Sequence, residues 1–233
     1  MGEFVTIEAL DREGSFAAYH ATPDTRPAAA IIVIQEIFGV NAGIRCKADD
    51  WAALGYLAIA PDLFWRFAPR YDVDPDVPEQ AAEAFEIRKQ FDADKGVRDI
   101  EAVIRWVRDQ LGSEAKVGVV GFCMGGRVAY LAATRTDVDA SVGYYGAGID
   151  ASLGEAHAIA RPLLLHFAEQ DHFITAEVRD RIRSALDGNR HVTIEDYPGV
   201  DHGFATTSGK RRNDAAAERA DGRTRDFFAK HLA

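Results

Sequence analysis

The chain has 233 residues, 47% hydrophobic and 27% charged, with a formal net charge of −10 and a pI near 5.2. This composition is ordinary for a soluble globular protein, and the acidic balance argues against nucleic-acid binding and a polybasic membrane contact. No apolar run approaches the roughly 18 residues that span a bilayer, and the first residues lack the basic and apolar regions of a signal peptide. We therefore expect a cytoplasmic protein, monomeric by default, that forms a single domain over residues 1–233.

Strand-like and helix-like segments alternate along the whole chain. In chain order we predict strands over 4–10, 15–20 and 28–34, a helix over 42–54, a strand over 55–62, helices over 79–91 and 93–111, a strand over 117–120, a helix that includes 127–133, strands over 140–145 and 162–168, a helix over 176–186, a strand over 191–197 and a helix over 215–232. This alternation implies an α/β fold with a mostly parallel, doubly wound sheet flanked by helices. Ligands in such sheets bind at the carboxyl ends of the strands.

The turn that follows the strand at 117–120 carries the first candidate site residue. Gly121, Cys123 and Gly125 form a Gly-x-Cys-x-Gly pattern between a strand and a helix, which is the nucleophile elbow with Cys in the usual Ser position. A helix N-terminus behind the thiol favours a thiolate and a developing oxyanion. The alternative is a small buried cysteine, which is also what we expect of Cys46 inside the helix at 42–54.

A thiol needs a base, and His202 is the best-placed histidine. It lies on a loop after the last predicted strand, where the hydrolase arrangement requires the base. His172 competes because it also follows a strand. The other histidines lie in strands, in a helical stretch or at the terminus: His20, His157, His166, His191 and His231. We expect His166 to be a buried histidine with satisfied hydrogen bonds.

The third member of a triad is a carboxylate that holds the imidazole tautomer and stabilises the imidazolium. Asp171 follows the strand at 162–168, so the chain order is Cys123, Asp171, His202, as in hydrolases of this kind. Glu169 and Asp201 are the alternative acids.

Four motifs occur in order along the chain: Gln35–Gly39, Gly121–Gly126, Tyr144–Gly146 and Asp201–Phe204. Together they resemble the dienelactone hydrolases, and the resemblance covers essentially the whole chain. It implies the α/β-hydrolase fold and a Cys-His-Asp triad that cleaves a lactone or ester bond without a metal or organic cofactor.

The resemblance also implies roles for residues outside the triad. Glu36 matches a glutamate that contacts the resting thiol, with a solvated loop carboxylate as the alternative. The backbone N–H groups of Ile37 and Met124 match the oxyanion hole. The aromatic residues that resemble pocket walls are Phe38, Tyr145 and Phe204.

Two positions depart from the family pattern. The dienelactone enzymes hold the substrate carboxylate with two arginines, whose positions here are Ala81 and Thr206. Arg88 or Lys89 could substitute, although such residues are more often surface charges. Because Thr cannot reproduce the bidentate grip of a guanidinium, we expect weak activity on carboxylated dienelactone and a preference for neutral or differently charged esters or lactones.

Two other functions remain open on the sequence alone. The same site would serve a general carboxylesterase or a thioesterase, and residues 63–91 would decide between them. A non-catalytic α/β-hydrolase that binds a small molecule is the alternative from another class, and its expected signature is a broken triad.

Overall fold

The secondary structure follows the alternation of strands and helices that the sequence predicts. The structure is a computed structural model that describes residues 2–233. The chain divides into two units, Met1–Val117 and Gly118–Ala233. One domain over residues 1–233 stays a prediction. None of the helices in residues 2–233 combines the length and apolar composition that a bilayer crossing requires.

Over residues 2–117, the described part of the first unit holds four strands and three α-helices. They are β1 (Glu3–Glu8), β2 (Ser15–Ala21), β3 (Ala29–Ile34), α1 (Ala42–Ala53), β4 (Leu57–Pro61), α2 (Pro78–Ile87), a 3-10 turn (Arg88–Gln90) and α3 (Ala93–Leu111). The strands are ordered β1-β2-β4-β3, with the first two pairs antiparallel and β3–β4 parallel. Every residue of β3 is buried, as a continuous apolar run predicts for a strand covered on both faces.

The second unit is an all-parallel arrangement. Its elements are β5 (Lys116–Phe122, beginning at the end of the first unit), α4 (Met124–Arg135), β6 (Ala140–Tyr144), a 3-10 helix (Ile149–Ala158), β7 (Leu163–Ala168), α5 (Ala176–Leu186), β8 (Val192–Tyr197) and α6 (Asp214–His231). β5, β6, β7 and β8 pair in that order. The predicted mostly parallel α/β fold is confirmed. Cys123, Asp171 and His202 each follow the carboxyl end of one of these strands, so all three lie at one edge.

A buried chain of hydrogen bonds joins α6 to the strands of the second unit. Tyr197 Oη lies 2.9 Å from His166 Nδ1, and His166 Nε2 lies 2.9 Å from Thr224 Oγ1. Thr224 Oγ1 is 2.6 Å from Tyr144 Oη, which donates to Asp221 Oδ1 at 2.8 Å. A carboxylate only accepts, so the chain runs in one direction and His166 carries its proton on Nε2. Burial lowers the pKa of His166 to about 3, which confirms it as a satisfied, neutral core histidine.

Candidate active site

Cys123 occupies a strained turn between β5 and α4. Its φ is +54° and its ψ is −117°, outside the regions that a residue with a side chain normally adopts. The turn is held from both sides: Cys123 N–H donates to Tyr144 O at 3.0 Å, and Gly126 N–H donates to Cys123 O at 2.9 Å. Because Cys123 is the N-cap residue of α4 and only partly buried, its thiol lies at the positive end of the helix dipole.

Close backbone approach explains the glycines around this turn. A Cβ on Gly121 would lie 1.9 Å from Gly125 O, and one on Gly126 would lie 2.6 Å from Tyr144 O. Both distances are shorter than any real contact and both neighbours are backbone atoms. Gly121, the first glycine of the Gly-x-Cys-x-Gly pattern, and Gly126 are therefore required by the close approach of β5, α4 and β6, as expected around a nucleophile elbow.

Asp171 and His202 form a buried pair on the loops after β7 and β8. Asp171 Oδ2 lies 2.8 Å from His202 Nδ1, and both side chains are almost fully buried. Asp171 Oδ1 accepts from the backbone N–H groups of Phe173 at 2.8 Å and Ile174 at 3.1 Å. The carboxylate is thereby fixed in orientation, so the imidazole is held with its Nδ1 proton towards Asp171.

The other ring nitrogen of His202, Nε2, has a different environment. Within residues 2–233, Nε2 is buried and forms no conventional hydrogen bond. Burial alone would lower the pKa of His202, but the charges of Cys123 and Asp171 together raise the pKa to about 10. The His202 ring is therefore electrostatically coupled to both Cys123 and Asp171.

The competing acids and the competing base have other partners. Glu169 Oε2 accepts from Gly199 N–H at 3.0 Å, and Asp201 pairs with His172 Nδ1 at 2.8 and 2.9 Å. His172 is exposed and faces Asp201. Of the three candidate carboxylates, only Asp171 reaches His202 through a ring nitrogen.

The segment after β3 carries the predicted residues of the first unit. Glu36 and Ile37 are buried, and within residues 2–233 the backbone N–H of Ile37 donates to no protein acceptor. Gln35 braces the segment, since its Oε1 accepts from Leu63 N–H at 3.1 Å. Gly39, at φ +77°, would place a Cβ 1.7 Å from Tyr71 O, so a second loop also restrains this backbone. The Ile37 N–H is thus an available donor on a braced segment.

Met124 supplies the corresponding donor in the second unit. It is the first residue of α4, so no carbonyl within the helix accepts from its N–H. Unpaired N–H groups of this kind are what a developing oxyanion requires.

The predicted wall residues are mostly packed below the surface. Tyr145 and Phe204 are fully buried, and the Tyr145 ring lies 4.9 Å from that of His202, with Phe204 behind it at 5.5 Å. Phe38, in the first unit, is also buried. An aromatic residue that the sequence analysis missed is Phe173: it is 44% exposed, and its ring meets His202 edge-on at 4.8 Å. Its position two residues after Asp171 could have indicated that Phe173 lies near the candidate site.

The two arginine positions that depart from the family pattern lie on different units. Ala81 is in α2. Arg88, in the 3-10 turn after α2, is exposed, and its guanidinium carbon lies 5.4 Å from the centre of the Phe85 ring. Lys89 forms an ion pair with Glu86 at 2.6 Å.

Thr206 is buried with a hydroxyl that has no hydrogen-bond partner within residues 2–233. The sequence analysis missed Arg211, whose guanidinium nitrogen would lie 2.9 Å from a Cβ on Gly203. A cation therefore does lie beside the loop that carries His202.

One cluster offers ligand types that metals accept. Atoms of Asp171, His172 and Asp201 lie within 4.8 Å of one another. Asp171 Oδ2 is engaged with His202, and His172 Nδ1 with Asp201. Because both oxygens of Asp171 already accept hydrogen bonds within the protein, we assign no metal to the cluster.

Known proteins resemble this chain over most of its length. The model of the dienelactone hydrolase family matches residues 16–232. A proposed carboxymethylenebutenolidase of Azospirillum brasilense is 43% identical over 230 residues, which cover 98% of each chain. A carboxymethylenebutenolidase of Pseudomonas putida is 38% identical over 227 residues, which cover 97% of this chain and 96% of that protein.

Solved structures show the same fold. The crystal structure of a proposed dienelactone hydrolase from Klebsiella pneumoniae superimposes with a TM-score of 0.84 and 28% identity, over 98% of both chains. An α/β serine hydrolase from Xanthomonas campestris gives a TM-score of 0.69 at 16% identity, over 99% of this chain and 95% of that chain, which supports the fold alone.

Proposed function

Because the chain is a carboxylic ester hydrolase that belongs to the dienelactone hydrolase family, we propose that it cleaves ester or lactone bonds of small molecules through Cys123, His202 and Asp171. The observation that carries this proposal is the position of His202. One ring nitrogen is held by Asp171 at 2.8 Å, and the charges of Cys123 and Asp171 raise the pKa of the ring to about 10. Such a pair supports nucleophilic catalysis rather than a purely structural thiol.

The first half of the proposed reaction is acylation. The Cys123 thiolate attacks the substrate carbonyl carbon, and the backbone N–H groups of Ile37 and Met124 donate to the oxyanion that forms. The His202 imidazolium then gives its proton to the leaving oxygen as the carbon–oxygen bond breaks. In a lactone the leaving hydroxyl stays tethered to the acyl group. The product of this half is a thioester on Cys123.

The second half returns the enzyme to its starting state. Neutral His202 takes a proton from water, the resulting hydroxide attacks the thioester carbonyl, and the carbon–sulfur bond breaks. The thiolate leaves next to the imidazolium, which returns its proton to the sulfur and restores the resting thiol. Asp171 keeps the proton on Nδ1 during both halves, which leaves Nε2 free to exchange the other one.

Glu36 has a separate proposed task. Its buried carboxylate follows β3 on the segment that bears the Ile37 N–H. We propose that it contacts the resting thiol and assists thiolate formation when substrate arrives, as the family resemblance implies. Glu36→Gln should lower kcat while the fold is retained.

The substrate is proposed to differ from the carboxylated dienelactone of the family. Neither Ala81 nor Thr206 can form a bidentate pair with a carboxylate. We expect neutral or differently charged esters or lactones to be preferred, with Phe38, Tyr145, Phe204 and Arg88 as the proposed substrate-binding residues. Steady-state comparison of a carboxylated lactone with its methyl ester measures this preference. Efficient turnover of the free acid would contradict it, and Arg211→Gln would then test whether Arg211 binds the carboxylate.

The experiment that tests the proposed function is a panel of small esters, lactones and thioesters assayed with wild type and Cys123→Ala. We expect the variant to fold normally, judged by circular dichroism, and to lose turnover on every substrate. Most of the activity surviving in Cys123→Ala would refute the nucleophile assignment. Iodoacetamide provides an independent measure, because an activated thiol alkylates fast and in a His202-dependent manner, whereas an inert one would favour a binding protein.

We further propose that the chain acts as a cytoplasmic monomer, and that the reaction uses no metal or organic cofactor. The scheme above moves protons and one acyl group only, which Cys123, His202 and Asp171 can do unaided. Sedimentation analysis measures the oligomeric state, and activity after exhaustive dialysis against a chelator measures the need for a metal.

A further inference from the structure

Three ties join the loop that carries the proposed acid to the loop that carries the proposed base. Gln170 N–H donates to Val200 O at 2.9 Å, and Gly199 N–H donates to Glu169 Oε2 at 3.0 Å. The third tie is Asp201, which lies immediately before His202.

Asp201 binds both loops with one carboxylate. Its Oδ1 accepts from the backbone N–H of His202 at 2.6 Å and from the backbone N–H of His172 at 3.1 Å. Both carboxylate oxygens also face His172 Nδ1, at 2.8 and 2.9 Å. One oxygen atom of Asp201 therefore links the backbone of His172, which follows Asp171, to the backbone of His202.

This tie affects the geometry of the pair more than the stability of the fold. The side chains of Asp201 and His172 are both more than half exposed, and an exposed ion pair contributes little to stability. A hydrogen bond from a backbone N–H instead fixes the main chain of His202 relative to residue 172, next to Asp171. Displacements of about 1 Å in a catalytic group can cost about 100-fold in rate, so a restraint at this point matters for turnover.

We propose that Asp201 is a positioning residue of the hydrolase, which clasps the base-bearing loop to the acid-bearing loop and so holds His202 at hydrogen-bonding distance from Asp171. The inference rests on the proposed function, because it has meaning only if these two residues catalyse. Asp201 touches no reacting atom in this scheme. It acts through the main chain of His202.

The test compares Asp201→Ala with Asp201→Asn and with a matched control, Glu169→Ala. Asp201→Ala removes the clasp, whereas the amide oxygen of Asn can still accept from both backbone N–H groups. Glu169→Ala also removes one tie between the same loops, but one that ends on Gly199 instead of His202. Each variant is assayed for kcat, KM, iodoacetamide alkylation of Cys123 and thermal unfolding.

We expect Asp201→Ala to lower kcat and the alkylation rate roughly 10-fold or more, with KM within twofold of wild type. Asp201→Asn should recover most of the loss, and Glu169→Ala should stay within twofold of wild type in kcat. Wild-type kcat in folded Asp201→Ala would overturn the proposal, as would an equal loss of kcat in Glu169→Ala. Cys123→Ala, run in parallel, separates the two failures: activity in that variant would refute the proposed function instead.

Discussion

Asp171 divides its two carboxylate oxygens between the backbone and His202. Oδ1 accepts from two backbone N–H groups, and Oδ2 faces His202 Nδ1. A carboxylate is suited to this place because both of its oxygens accept. An amide has one accepting oxygen and one donating nitrogen, so it cannot satisfy both sides.

Asp171→Asn should therefore reverse the tautomer of His202. The amide oxygen is expected to face the two backbone N–H groups, which leaves the amide nitrogen as a donor towards Nδ1. The ring must then carry its proton on Nε2, where it cannot take one from Cys123. We expect kcat to fall by roughly 10²- to 10⁴-fold with the fold intact, measured by steady-state kinetics and thermal unfolding.

The pH profile gives this prediction a second measurement. In the proposed reaction the imidazolium supplies the leaving-group proton, so kcat/KM should decline as pH rises through the His202 pKa of about 10. Asp171 is one of the charges that raise this pKa, so its removal should move the alkaline decline to lower pH. An unchanged alkaline limb in the residual activity of Asp171→Asn would contradict the role assigned to the carboxylate.

At the scale of elements, the turn between β5 and α4 depends on glycine. Gly121→Ala would bring a Cβ to 1.9 Å from Gly125 O, and neither backbone can yield without moving Cys123. We expect loss of folded protein or loss of most activity, assayed by soluble yield and kcat. Gly154→Ala is the matched control, since a Cβ there meets nothing within 4 Å. Equal behaviour of the two variants would contradict the packing argument.

The hydroxyl of Thr224 in α6 contacts two buried side chains of the neighbouring strands. Thr224 Oγ1 connects His166 to Tyr144, so Thr224→Val would leave His166 Nε2 without a partner and would remove one of the two partners of Tyr144 Oη, which keeps Asp221. We expect a loss of about 1–3 kcal/mol in the free energy of unfolding, measured by urea denaturation.

Ser141→Ala provides the comparison for Thr224→Val. Ser141 is equally buried, but its hydroxyl has no hydrogen-bond partner within residues 2–233. Removing it should cost little or should stabilise the protein. If Ser141→Ala destabilised the protein as much as Thr224→Val, loss of volume or polarity alone would explain both, and the network would not be needed.

Sequence patterns predicted the long elements better than the turns. α3 and α5 have the predicted bounds because apolar residues at helical spacing mark a buried face. α4 begins at Met124, immediately after the positive φ of Cys123. The 3-10 helix Ile149–Ala158 was not predicted, since short 3-10 segments carry no helical periodicity.

In the candidate site too, residues at strand ends were easier to predict than contacts within loops. The sequence could indicate Cys123, Asp171 and His202 as candidates because each follows a strand, and strand order fixes where those ends lie. The tie made by Asp201 and the exposed ring of Phe173 depend on loop conformation, which has no period in the sequence. The family resemblance indicated Glu36 and Ile37. It did not indicate which substrate suits a protein with Ala81 and Thr206 at the positions of the two carboxylate-binding arginines.

Over the whole molecule, two buried histidines have pKa values shifted in opposite directions. The pKa of His202 is raised to about 10 in the folded protein. The stability that this shift contributes is therefore fully present below about pH 6.5, the pKa of histidine in the unfolded chain, and is lost as pH rises through about 10. The pKa of His166 is lowered to about 3 by burial. Below pH 6.5 the unfolded chain binds a proton at His166 that the folded protein does not. The free energy of unfolding should therefore fall as pH drops from 6.5, and His166 should account for part of the slope.

His166→Gln tests this linkage through the slope rather than the absolute stability. One proton taken up on unfolding gives a slope approaching about 1.4 kcal/mol per pH unit. Urea unfolding of wild type between pH 5 and 7 should show a fall in stability on the acid side, and the variant should show a shallower fall whatever its stability at pH 7. His157→Gln, a change at an exposed histidine, controls for mutation as such. Parallel pH dependences in wild type and His166→Gln would mean that His166 takes up its proton equally in both states, which a neutral histidine inside the Tyr197–Thr224 hydrogen-bond chain cannot do.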